Sequence, residues 1–121
     1  MAVFGLGTAH ASPGKVKKAA KLQEAYEQGD RAALVEALGL LEGAIEHPKV
    51  SEDPTAWARL GHLRFEAAKS ASDAEGLSDA ARDLAKALEL GAEGPVRSSV
   101  VGDMKTILGT LYTTAFDAME A

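Results

Sequence analysis

Apolar residues recur at helical spacing along most of the chain, in stretches separated by glycine, proline and acidic residues. Leu34, Ala37, Leu38, Leu41, Ala44 and Ile45 fall three and four apart, the stripe of one helix running from Asp30, placed to cap it, to Glu46. Upstream, Pro13 to Glu27 carries a weaker apolar side through Val16, Ala19, Ala20, Leu22, Ala25 and Tyr26, and Gln28-Gly29-Asp30 ends it. Pro48 closes this first pair, and Ser51-Glu52-Asp53-Pro54 opens a helix to about Ser70 bearing Trp57, Leu60, Gly61, Leu63 and Phe65. Ser70 to Gly76 lacks a sustained stripe and reads as a polar break. Leu77, Ala80, Ala81, Leu84, Ala87 and Leu88 then form a well-defined amphipathic helix that Gly91, Gly94 and Pro95 stop. The last segment, about Val96 to Ala121, has apolar residues all around it and calls for neighbours on two sides. Five helices in hairpin order, one all-α domain over residues 13–121, is the expectation.

Composition supports this reading. Alanine is abundant while β-branched and aromatic residues are scarce, which favours helix over strand. The 121 residues suffice for one hydrophobic core. Thirteen Lys and Arg against 18 Asp and Glu give a net charge of −5, which disfavours nucleic acid or an anionic membrane surface as partner. The local basic run of Lys15, Lys17, Lys18 and Lys21 reads as a solvated helix face. Glu36, Glu42 and Glu46 interrupt any membrane-spanning stretch around Gly39 and Gly43, so that glycine pair predicts close helix approach within a hairpin, with no membrane insertion. Residues 1–12, a short apolar stretch ending in Ala9-His10-Ala11, admit three readings: a clipped secretory leader, a misplaced start or a frayed terminus. Cysteine is absent and so gives no hint of compartment.

Two internal echoes bear on architecture. Leu41-x2-Ala44 recurs 43 residues on as Leu84-x2-Ala87, and Leu60-Gly61 recurs 48 residues on as Leu108-Gly109. On these residues the chain resembles the tetratricopeptide repeat family, whose pattern is W-x2-L-G-x2-Y in the first helix and A-x3-F in the second, with proline after it. Trp57, Leu60 and Gly61 match the first helix, with Arg64 in the Tyr place. Ala80 and Leu84 match the second, as Ala37 and Leu41 do one repeat earlier with Pro48 behind them, and Leu108, Gly109 and Tyr112 begin a third. The resemblance implies a short α-solenoid of stacked antiparallel hairpins. The period exceeds the family's usual ~34 residues, which implies extended helices or an insertion around Ser70 to Gly76. It is similar to bacterial, often cell-envelope, members with longer repeats, which implies a periplasmic or secreted protein, with the cytoplasm as the alternative.

Nothing in the sequence carries a catalytic or cofactor pattern. His10, His47 and His62 do not share helical metal-ligand spacing, and no nucleophile elbow, phosphate loop or dinucleotide glycine motif occurs, so no enzyme, cofactor or metal is expected. Trp57 reads as a packing residue rather than a ligand platform. The resemblance implies a non-enzymatic scaffold or adaptor whose concave face, lined by the first helix of each hairpin, receives a peptide or protein segment. By register that face comprises Gln23 and Tyr26, then Ala58, His62, Phe65, Glu66 and Lys69, then Thr106, Thr110, Thr113 and Asp117. Any one of these also reads as merely solvated or as touching the next repeat. The alternative is a structural assembly domain. The surplus of apolar residues on the last helix, Met104, Ile107, Leu111, Phe116 and Met119 among them, predicts self-association, most simply a twofold homodimer, unless the natural chain continues past Ala121 with the missing helix.

Overall fold

Turn chemistry sets the helix boundaries in the computed structural model, which describes the backbone of residues 2–120 and the side chains of residues 14–113, 115–117 and 119. The helices are α1 (Ala2–Glu27), α2 (Arg31–Ala44), α3 (Pro54–Ala71), α4 (Ala74–Glu89) and α5 (Gly94–Glu120). Gly29 and Gly91, each just past a helix end, have φ of 114° and 95°, a conformation that costs any other residue. Asp53 begins α3 by accepting the Thr55 backbone N–H at 2.9 Å, with Pro54 in the first turn. Among the described residues there is no strand, and no helix is long and apolar enough to cross a membrane.

Two helix starts differ from the sequence expectation. Helix α1 runs through Pro13 instead of starting there, although a proline cannot donate the hydrogen bond to the carbonyl four residues back. The leader, misplaced-start and frayed-terminus readings of residues 1–12 fall on side chains outside the described residues. Helix α4 begins at Ala74, so the polar break shrinks to Ser72 and Asp73, with Ser72 in the left-handed region at φ 54°. The long period therefore comes from extended helices of 18 and 16 residues, without an insertion.

The helices form a stack of antiparallel hairpins. α1 pairs with α2 and α3 with α4, α2 packs on α3, and α5 lies against α4 and α3. One apolar cluster, built on Leu34, Ala37, Leu41, Leu60 and Leu63, ties α1 and α2 to α3. A second, with Phe65, Leu77, Ala80, Leu84, Val100 and Ile107, ties α3 and α4 to α5. Trp57 packs on both clusters, half-buried, and its indole N–H donates to the Ser51 carbonyl at 2.8 Å, so the packing role holds.

Small residues decide how close the helices come. A Cβ added to Gly61 would lie 2.7 Å from the Leu84 side chain and 3.2 Å from the Ala80 carbonyl oxygen. No ordinary packing tolerates the first distance, so glycine is what lets α3 and α4 meet there. Gly39 and Gly43 correct the sequence reading: both are exposed, and the nearest atom to a Cβ on Gly43 is the tip of Lys15, at 3.6 Å. They face solvent because α2 buries Ala33, Leu34, Ala37, Leu41 and Ala44 instead.

Candidate interaction groove

Helices α1, α3 and α5 present one side of the stack, and side chains from all three meet along a groove there. Arg59 Nη1 donates to Gln23 Oε1 at 2.7 Å and Tyr26 donates its phenolic O–H to Glu66 at 3.0 Å, both crossing from α1 to α3. On the other flank His62 Nδ1 lies 2.8 Å from Asp103 Oδ2, joining α3 to α5. Between them opens a cleft of about 330 Å³ walled by Gln23, Glu27, Ala58, Arg59, His62 and Ser99. A second hollow of about 510 Å³ continues the groove past Tyr26, Glu27 and Glu66 toward Arg31. The size and openness of such a channel suit a chain segment.

Electrostatics along the groove follow from these bonds. The hydrogen bond with Asp103 holds the His62 imidazole above its ordinary value near 6.5, against the opposing effect of burial. Burial pushes the Glu66 carboxyl up, but the bonds from Lys69 and Tyr26 outweigh it and hold it below its ordinary value. Tyr26 is raised by burial and by its bond to Glu66. Lys69 bridges to Glu66 at 2.9 Å and lies 4.9 Å over the Phe65 ring. Arg59 differs from the rest. Its Nε is buried without a hydrogen-bond partner, and no carboxylate among the described residues lies within ion-pairing distance of its guanidinium. In a chain of net charge −5, a groove arginine whose sole bond goes to a neutral amide retains unused donor capacity.

Sequence reasoning placed Gln23, Tyr26, Ala58, His62, Glu66 and Lys69 on this side, and the structure brings them together between α1 and α3. Phe65 is a correction: it is 4% exposed, locked in the cluster with Leu77, Ala80 and Leu84, and unavailable to a partner. The α5 residues are displaced as well. Thr106, Thr110 and Thr113 bond back to the carbonyls of Gly102, Thr106 and Gly109, and Asp117 is exposed near the end of the helix. The residues of α5 that reach the groove are Pro95, Val96, Ser99 and Asp103. The reason is a register difference. His62 lies beside Asp103, 41 residues on, whereas the Leu60-Gly61 echo is spaced by 48, so the expectation fell about two helical turns too far along α5. Pro54 and Pro95, each in the first turn of its helix and 41 residues apart, are the sequence signal that fixes the correct register. Arg59 and Asp103 carry no motif and are not among the residues the sequence singles out.

The His62–Asp103 bond makes the docking of α5 sensitive to pH. A histidine whose value is raised on folding stabilises fully below its unfolded value, and that contribution is lost as pH rises through the folded value. The groups around it are Glu27 on α1, Arg59 and Glu66 on α3, and Asp103 on α5. Urea unfolding at about pH 5.5 and about pH 8.5 is expected to show a lower midpoint at the higher pH, with the difference reduced in Asp103→Asn. An identical pH response in the variant would mean that other groups set it.

Among the described residues no group of three or more His, Asp or Glu is placed to hold a metal ion. Compared with known proteins, the chain matches no family model, no curated protein and no solved structure. The functional reading therefore rests on the groove itself.

Proposed function

We propose that the chain is a non-enzymatic protein-interaction module, built on tetratricopeptide-like hairpins, that holds an extended peptide segment in the groove of α1, α3 and α5. The observation that carries the reading is Arg59. It has no carboxylate partner among the described residues, which leaves the Nη end of its guanidinium to take an acidic side chain, while Gln23 fixes its orientation. Tyr26, His62, Ala58 and Val96 add the mixture of apolar and polar surface typical of peptide recognition. The hairpin stack supports the groove from behind, so it is preformed and little ordering is needed on the protein side.

A displayed random-peptide library selected against the full chain tests this. Peptides carrying Asp or Glu at a fixed position are expected to enrich, and Arg59→Ala is expected to weaken their binding at least tenfold while the helical circular dichroism is unchanged. Selected peptides that bind Arg59→Ala as well as the parent would remove the groove from the account.

A further inference from the structure

On α3 the face that carries Gly61, Arg64 and Ala68 is covered by α4. The residues 41 positions later on α5, the offset that sets His62 beside Asp103, are Gly102, Lys105 and Gly109, and all three are exposed. Nothing lies within 4 Å of where a Cβ would sit on either glycine. Farther along the same side of α5, Leu108 is 64% exposed, Tyr112 71%, Phe116 48% and Met119 84%, with the Tyr112 and Phe116 rings stacked at 6.2 Å. The opposite side is already used. Ile107 is fully buried and Met104 and Leu111 pack on the α3–α4–α5 cluster, so these three of the residues expected to self-associate belong to the core, whereas Phe116 and Met119 remain outside. α5 thus has one face docked and a second face open.

We propose that this open face pairs with the same face of a second copy of the chain, α5 antiparallel to α5, about a twofold axis near Tyr112. Three observations select that occupant. Leu108, Tyr112, Ala115 and Met119 follow one another at offsets of 0, 4, 7 and 11, a continuous helical stripe that is exposed throughout on the open side of α5. Antiparallel pairing sets Leu108 against Phe116 of the second copy and Ala115 over its Gly109, and it holds the two Lys105 ammonium groups roughly 20 Å apart where parallel pairing would juxtapose them. The area also suffices. Side chains of this size expose on the order of 150–250 Å² each when free, so the four at their observed exposures offer roughly 550 Å² per copy. Two copies bury roughly 1,100 Å², just above the ~1,000 Å² expected of a specific interface. Association is therefore concentration-dependent, and it leaves the groove on the other side of α3 free.

Sedimentation velocity of the full chain over a hundredfold concentration range tests the proposal. A shift from monomer to dimer is expected, with Tyr112→Glu and Leu108→Lys each weakening association at least tenfold and Val35→Glu, at an exposed apolar site on α2, leaving it intact. Both interface positions are more than half exposed, so circular dichroism is expected to match the parent. A monomer at every concentration, or a dimer untouched by both α5 variants, would overturn the proposal. Peptide binding measured on the same variants separates this outcome from the groove reading, because the groove is expected to bind whether or not α5 pairs.

Discussion

Replacing Gly61 by leucine is expected to destabilise the protein by about 2–3 kcal/mol, the upper part of the range for overpacking a filled core. The added Cβ alone would lie 2.7 and 2.8 Å from two carbons of Leu84 and 3.2 Å from a backbone oxygen of α4. Leu84 is fully buried and the Ala80 carbonyl is held within a helix. The helices must therefore separate, and they lose apolar contact on both sides of the clash. An exposed helical glycine supplies the control. Gly39 has nothing within 4 Å, so Gly39→Ala is expected to stabilise by up to about 1 kcal/mol through helix propensity, a gain that Gly61→Ala should not deliver. Thermal or urea unfolding reads both signs, and a Gly61→Leu midpoint equal to the parent's would show that α3 and α4 do not approach as described.

The second large effect is expected at Arg64, which joins three helices. Its Nη1 donates to Asp83 on α4 at 2.8 Å and its Nη2 to Glu42 on α2 at 3.0 Å. Asp83 is 6% exposed, the one buried charged residue among those described. Burial pushes its carboxyl up and Arg64 opposes that shift without cancelling it. Arg64→Ala removes the opposing charge and strands the carboxylate, which is expected to cost about 3 kcal/mol, the low end for breaking a buried pair because the arginine is itself partly exposed. Replacing both partners, Arg64→Met with Asp83→Leu, is expected to recover most of that loss, since an apolar pair of similar volume needs no desolvation. Urea midpoints of the single and double variants decide the matter. A single variant as stable as the parent would mean that Asp83 finds another partner or water.

Arg64 also shows how far the sequence can be read. The apolar stripes of α2, α3 and α4 were legible because alternation at three and four residues reports directly which side is buried, and Leu41, Leu60 and Leu84 are all at the centres of clusters. The start of α4 was obscured because exposed Ala74 and Glu75, then Gly76, precede the first buried leucine, and a first turn that buries no large apolar side chain leaves no periodic trace. In the groove, the side of the helix was legible for most residues, Phe65 excepted because it turns into the core, but the level along the axis of α5 was not. An offset of two turns returns a residue to nearly the same side, so a 48-residue echo and a 41-residue structural offset look alike from periodicity alone. Charged residues such as Arg59 and Asp103 gave no signal, because pairing and burial arise only when separate helices come together.

Amide NMR spectra of the full chain, recorded while an acidic peptide from the display selection is added, show where on the stack the peptide sits. Binding in the groove is expected to shift resonances of Gln23, Ala58, Arg59, His62 and Ser99 on three different helices, while Val35 on α2 and Tyr112 on α5 stay unmoved. Shifts confined to α2 and α4, or to the open face of α5, would contradict the groove reading.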